Sequence, residues 1–286
     1  MKSERKSIIP VTAIIVTRNA AAGLENTLLS LSRFDEVLVV DSNSHDETPE
    51  IALEQNVSVI PFEWDGQYPK KRQWCLDNIK LKHNWVLFID ADEVMTPDLA
   101  AEMAKLFEGA GPRHAGYFVP GRYVYNHQIM EYGLRNNKLC LFDKTRLAFP
   151  VIDDLNAEGM GEIEGHYQPV RQKGSENATI GQLQHGLLHH AYLDLEKWRT
   201  RHEGYARWAA YMTLNDCWPD DPVPWRNLLK KAFRHLPVRA ELAFLHSYIL
   251  KLGFLDGLAG FSIARDRWRY YRMITKQISQ RRRLAN

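Results

Sequence analysis

Trp85-Val86-Leu87-Phe88-Ile89-Asp90-Ala91-Asp92-Glu93 is an unbroken apolar run that stops on three carboxylates in four residues. A run of this length between polar segments reads as a strand buried on both faces. Its end delivers Asp90, Asp92 and Glu93 to the rim of a sheet, where open α/β sheets bind their ligands. Clustered carboxylates resist ionisation together unless a cation lies between them, and Mg²⁺ is held by one or two carboxylates plus substrate phosphates. The cluster therefore asks for a divalent metal, Mg²⁺ or Mn²⁺, and a phosphorylated ligand. The plainer alternative is a solvated strand-to-helix turn, with Thr96 capping and Pro97 opening the next helix.

Upstream, strand and helix signals alternate. Val11-Thr12-Ala13-Ile14-Ile15-Val16-Thr17 is a β-branched strand, and Leu24, Leu28 and Leu31 form a helical stripe behind it. Glu36 to Asp41 is a second buried strand ending on an acid, and Ser44 to Glu47 is a plausible capping box before a short helix through Gln55. Ser58 to Pro61 reads as a third strand, and Pro69 starts a helix toward Leu81. This alternation predicts a parallel, Rossmann-like layered sheet with right-handed crossovers. Beyond Gly109, Tyr117 to Val119, Tyr123 to Tyr125 and Leu139 to Phe142 read as short strands of a mixed or antiparallel extension. Val151 to Gln184 is acidic and glycine-bearing, a stretch of long loops that would shape a site. From Asp194 the pattern is helical, and the aromatic positions from Trp198 to Trp218 suit a core stripe better than a sugar-stacking platform.

The 286 residues are 45% hydrophobic and 25% charged, which excludes a disordered or fibrous chain. Cys75, Cys140 and Cys217 are odd in number and unpaired in spacing, against a disulfide framework or a cysteine zinc site, and they imply a reducing compartment. Met1 to Lys6 is charged with no cleavage pattern behind it, so no signal peptide is expected. The net charge of +2 hides a division: residues 225–286 hold 14 Lys/Arg against 3 Asp/Glu, whereas residues 1–224 hold 23 against 32. No glycine-rich dinucleotide fingerprint follows the first strand, and no Gly-Lys-Ser/Thr phosphate loop is present.

Three segments in order, Val11 to Asn19, Val39 to Thr48 and Ile89 to Glu93, resemble the N-terminal motifs of family 2 inverting glycosyltransferases with the GT-A fold. Trp64 through Glu93 is similar to the bacterial branch that includes lipopolysaccharide inner-core glucosyltransferases. The resemblance covers the first hundred residues or so well and the remainder loosely. It implies that Thr17, Arg18 and Asn19 lie beside a UDP-sugar, that Asp41, with Ser42 next to it, accepts from the uracil N3–H, and that Asp90 and Ala91 border the ribose. It further implies that Asp92 coordinates the metal on the diphosphate. A carboxylate is an acceptor-only match for an imide donor, and a metal on the diphosphate stabilises the charge of departing UDP. Lys70, Lys71 and Arg72 either add positive charge to the phosphates or form a solvated helix face.

Inverting transfer also needs a base for the acceptor hydroxyl. Within Asp153 to His166 the candidates are Glu164, then Glu162, then Asp154, although the branch's usual His-Glu pair is missing there and the whole stretch also reads as a solvated acidic loop. Among His185, His189 and His190, the last is the candidate to complete the metal shell; hydrogen-bonded packing is the alternative for each.

Leu242 to Ala264 is apolar, with Leu242, Leu245, Ile249, Leu252 and Leu255 on one stripe, and about long enough to span a bilayer. His246, Lys251 and Asp256 interrupt it, and a central Lys or Asp costs roughly 2.5–3.5 kcal/mol on insertion. An amphipathic helix in the membrane interface fits better, with Arg265, Arg267, Arg269, Arg272, Lys276, Trp268, Tyr270 and Tyr271 gripping anionic head groups. A buried or dimer-forming helix and nucleic-acid binding through Arg281 to Arg283 are the alternatives, the last the weakest.

The expectation is thus an α/β GT-A domain over residues 1–190 and a helical, basic, membrane-apposed region over residues 191–286. It would move a hexose, glucose favoured, from a UDP-sugar to a lipid-linked glycan or lipopolysaccharide core at the cytoplasmic face of the inner membrane, with no nucleic-acid partner. A sugar-phosphate nucleotidyltransferase is the nearest rival, but Arg18-Asn19-Ala20-Ala21 lacks the glycine-rich basic signature it needs. A non-catalytic membrane-surface scaffold is the other.

Overall fold

The computed structural model describes residues 7–165, 167–192 and 195–285, so the charged start Met1–Lys6 and the residue Asp194 lie outside the described residues. The first half runs β1 (Ile9–Thr17), α1 (Ala21–Ser30), β2 (Phe34–Asp41), α2 (Thr48–Glu54), β3 (Ser58–Pro61), α3 (Lys71–Asn78) and β4 (Trp85–Asp90). These strands pair in parallel in the order β3-β2-β1-β4. Each is apolar because both faces of such a sheet are covered; Ala13, Ile14, Ile15, Val39, Val40, Val86 and Leu87 are fully buried.

The chain continues as β5 (Glu93–Met95), α4 (Pro97–Leu106), β6 (Gly116–Tyr125), β7 (Gln128–Ile129), β8 (Asn136–Asp143), β9 (Leu147–Ala148), β10 (Val170–Arg171), β11 (Ile180–Gln182) and β12 (Leu187–His189). The sheet extends β4-β8-β6-β12-β5, with β8 antiparallel to both β4 and β6. The fold is therefore the α/β GT-A-like mixed sheet, with a helical C-terminal region. Thr96 caps α4 as expected, accepting from the Leu99 amide. The two strands expected at residues 117–119 and 123–125 are one, because Pro120, which suggests a strand break, is accommodated opposite Asn137. The expected capping box at Ser44 to Glu47 does not form: Glu47 gives α2 no side-chain cap, and the Ser44 hydroxyl turns to Asp41 instead.

The helical region comprises α5 (Leu195–Leu214), α6 (Pro224–His235), α7 (Arg239–Leu245), a π-helical turn (His246–Leu250), a 3₁₀ turn (Gly253–Asp256) and α8 (Gly257–Ala285). Its core merges with that of the sheet: Trp208 of α5 is fully buried and donates to Asp154. The single helix expected over residues 242–264 is instead an elbow. Leu252 takes a left-handed conformation (φ 59°) and ends the first arm, and the second arm leaves at 73°. Among the described residues no single helix is long and apolar enough to cross a membrane. Tyr270 and Tyr271 do not face outward as expected; they pack inward, against His202 and Phe233 respectively. The three cysteines are free.

Candidate active site

Parallel pairing aligns the C-terminal ends of β1, β2 and β4, with Thr17 opposite Asp41 and Val16 opposite Asp90. Two strand spacings separate Asp41 from Asp90, about 10 Å along one edge. The expected convergence of distant acids on one rim is therefore present.

At the β2 end, Asp41 accepts from the Thr17 hydroxyl (2.7 Å), the Ser44 hydroxyl (2.6 Å) and the Ser44 amide (2.8 Å). Asn19, in a left-handed turn (φ 52°), accepts from the His45 amide through its side chain, and its own amide donates to Ser44. Thus the β1 and β2 turns are laced into one unit, with Arg18 exposed beside them.

Lys70 and Lys71 are not a solvated face: they are 1% and 0% exposed. The Lys71 ammonium donates to the Thr17 carbonyl and the Ser42 hydroxyl, and Ser42 donates to Glu162. Burial lowers the Lys71 pKa, while Glu162 and Asp41 oppose that drop. Lys70 is paired with Asp154 at 2.8 Å, and Asp154 also accepts from Tyr68 and Trp208.

The loop carrying the candidate bases docks on the start of α3, whose first amides lack helical partners. The Lys71 amide donates to the Glu162 carbonyl, and the Arg72 and Gln73 amides donate to the two Glu164 carboxylate oxygens at 3.0 and 2.8 Å. Burial raises the Glu164 pKa despite the opposing Arg72 charge and these hydrogen bonds. Glu164 borders a cavity of about 320 Å³ with Tyr68, Gln73 and Phe149.

At the β4 end, Asp90 accepts from Arg72 (3.2 Å) and Lys138 (2.7 Å), and Lys138 also contacts Glu93 at 2.7 Å. Burial works to raise the Asp90 pKa, but Lys138 and Arg72 outweigh it and hold this carboxyl well below its ordinary range. Sequence reasoning missed Lys138, because nothing local connects β8 to this rim. Ala91 is buried, its carbonyl accepting from Thr27, and a Cβ on Gly23 would come within 2.5 Å of that oxygen, so α1 rests directly on the acidic turn.

Asp92 stands apart from these pairs. Its carboxylate lies 3.5 Å from the His189 ring, which stacks on Tyr123. The expected metal partner, His190, lies one residue beyond β12: its amide donates to the Asp92 carbonyl, and burial lowers its imidazole pKa while the Asp92 charge opposes that drop; the ring within 3.5 Å of the Asp92 carboxylate is that of His189. Burial raises the Asp92 pKa and lowers that of His189, and their mutual contact reverses both shifts. No cluster of three metal-type side chains occurs among the described residues. A divalent ion on a diphosphate needs only one or two protein ligands, and Asp92 with His189 is a donor set of that size. His185 lies elsewhere, against Glu102.

Uncharacterised glycosyltransferases of Rickettsia bellii (strain RML369-C) and Rickettsia felis are 36% and 35% identical over 98 and 101 residues, in each case 34% of this chain. The match spans about a third of the length of these curated relatives, 32% and 34%. Among solved structures, S. aureus TarS aligns over 95% of this chain and 92% of its own at 16% identity, with a TM-score of 0.49. Glucosyl-3-phosphoglycerate synthase from Mycobacterium tuberculosis, in complex with Mn²⁺ and UDP-glucose, aligns over 40% of this chain and 43% of its own at 21% identity, with a TM-score of 0.31. The family model for glycosyl transferase family 2 matches residues 12–175, more than half of the chain and the whole site apart from the β12 histidines, and the chain belongs to that family.

Proposed function

We propose that this protein is an inverting glycosyltransferase that moves a hexose, glucose by preference, from a UDP-sugar to a lipid-linked glycan such as a lipopolysaccharide core. The observation that carries this reading is the shared sheet edge: the acceptor-only carboxylate of Asp41 at one end, Asp92 with His189 at the other, and Lys71, Arg72 and Lys138 between and beneath them.

Asp41, fixed by Thr17 and Ser44, accepts from the uracil imide, and Thr17, Arg18, Asn19 and Ser42 frame the nucleoside. Asp90, held by Arg72 and Lys138, borders the ribose with Ala91. Asp92 and His189 are the residues that would hold Mg²⁺ or Mn²⁺. That ion would supply positive charge to the diphosphate as it leaves. Glu164 takes the proton of the acceptor hydroxyl while its oxygen bonds to the anomeric carbon and the bond from that carbon to UDP breaks. Burial, a raised pKa and contact with a cavity support Glu164 over Glu162, tied to Lys71 at the nucleoside end, and over Asp154, neutralised by Lys70. The basic C-terminal region supports a location at the cytoplasmic face of the inner membrane, where soluble donor and lipid-linked acceptor meet.

A panel of UDP-sugars screened by thermal stabilisation with and without Mn²⁺ tests the reading. UDP-glucose should stabilise the fold more with the metal, with slow UDP release without acceptor. No stabilisation by any UDP-sugar and no heat on titrating UDP with Mn²⁺ would refute it.

A further inference from the structure

The elbow between α7 and α8 concentrates exposed apolar side chains. Ala240, Ala243 and Ser247 face inward, while Leu245, Ile249, Leu250, Leu255 and Leu258 are exposed, Leu250 by 73% and Leu258 by 86%. An apolar cluster of this kind on a folded surface marks an interaction site. The elbow is also preformed. A Cβ on Gly253, the first residue of the second arm, would sit 2.7 Å from the Ser247 carbonyl oxygen of the first, so the arms meet at a contact that favours glycine. Inside the bend, Phe244, Tyr248, Phe254 and Phe261 pack edge to face or tilted.

Charge identifies the occupant. The Arg265, Arg269 and Arg272 side chains on α8 are 42%, 48% and 62% exposed; Arg265 and Arg269 share the single carboxylate of Asp266 at 3.8 and 3.3 Å and Arg272 lies 3.8 Å from Glu241, so three guanidinium groups face two acids. At 1.5 Å per residue, the first two lie roughly 10 and 16 Å along the axis from Leu258. An apolar face that enters the acyl boundary by about 5–10 Å brings side chains at that height to the lipid phosphates. A second copy meeting this one through the same region would offer the arginines no excess of negative charge, since residues 225–286 hold 14 Lys/Arg against 3 Asp/Glu.

The elbow is tied to the catalytic rim. The Asp256 carboxylate accepts from the Glu131 and Tyr132 amides (3.3 and 3.0 Å), and the Gly133 amide donates to the Lys251 carbonyl (2.8 Å). A few residues later β8 supplies Asn136 to His189 and Lys138 to Asp90.

We propose that the α7–α8 elbow is the surface that docks on an anionic lipid bilayer, its leucine tip entering the acyl boundary and its arginines meeting head-group phosphates. This deepens the membrane part of the proposed function and rests on it for the acceptor's location, while bilayer binding itself is measured without substrate. The full chain is sedimented with phosphatidylglycerol/phosphatidylethanolamine vesicles and with phosphatidylcholine vesicles. Binding to the anionic vesicles is expected, weakening with added salt, with little binding to phosphatidylcholine. Leu250→Glu/Leu258→Glu should lower the partition coefficient on the order of tenfold or more. Arg269→Gln/Arg272→Gln should lower it for anionic vesicles alone. Unchanged melting temperatures and UDP titration heats would separate a docking loss from misfolding or a broken donor site. Failure to bind anionic vesicles, full binding by the double-leucine variant, or a lipid-free dimer that this variant dissociates would each overturn the proposal. Vesicle binding by a protein that takes no UDP-sugar would instead sink the transferase reading and leave the docking surface standing.

Discussion

The Lys138 ammonium lies 2.7 Å from the Asp90 carboxylate, across 48 positions of sequence, and also contacts the fully buried Glu93. With Arg72 also on Asp90, two cations balance two of the three acids at the end of β4, and Asp92 is left to His189. Replacing Lys138 by Met removes the cation and keeps the stem. With Glu93 left buried and uncompensated, we expect a loss of about 3–5 kcal/mol in denaturant unfolding, part of it restored by adding Glu93→Gln. A loss below 1 kcal/mol would show that Arg72 suffices to balance the cluster.

Asp41→Asn tests the nucleoside end. The amide still accepts one hydrogen bond but places donors where Thr17 and Ser44 already donate. A hydrogen bond to a charged acceptor is worth about 1.5–3 kcal/mol, so UDP should bind roughly 10- to 150-fold more weakly by calorimetry. Equal UDP affinity in the variant would remove Asp41 from the nucleotide site.

The acid limb of the rate profile should report Glu164. Burial pushes its pKa above the ordinary 4.5, and a base acts only when deprotonated, so kcat/KM should fall on acidification with a midpoint above 4.5. Glu164→Gln should abolish that limb and lower kcat roughly 10²- to 10⁴-fold. If the variant melts lower but turns over normally, Glu164 serves only to anchor the start of α3.

His202 sets an independent pH dependence of stability. Its ring packs on Trp198 at 3.8 Å, and burial pushes its pKa down to about 4. The unfolded chain binds this proton near pH 6.5 and the folded chain does not, so stability is complete above 6.5 and declines as the pH falls from there toward 4. The shift corresponds to at most about 3 kcal/mol, less for the partial solvent access of the ring. His202→Phe should flatten the melting temperature over this window, as differential scanning fluorimetry would show.

Much of the N-terminal α/β half was legible before any coordinates. The β-branched run at Val11 to Thr17 and the acids closing Asp41 and Asp90 have a strand period and a strand end, both local properties. Thr96 and Pro97 likewise announce their own helix. Ser44 and Glu47 misled, because a serine three residues after the carboxylate that closes its own strand bonds to that instead of to a helix.

The sequence by itself determined the strand order's raw material, the acids at the strand ends and the division of charge along the chain, since each depends on neighbouring residues or on composition. Tertiary structure alone decided which cation meets which acid: Lys138 on Asp90, Lys70 on Asp154, His189 on Asp92. It also decided that an apolar stretch with helical spacing bends at Leu252 and Gly253. Periodicity counts side chains on one helix, whereas a bend at which Gly253 closes on the Ser247 carbonyl, like an ion pair between strands, exists only once the chain has folded back on itself.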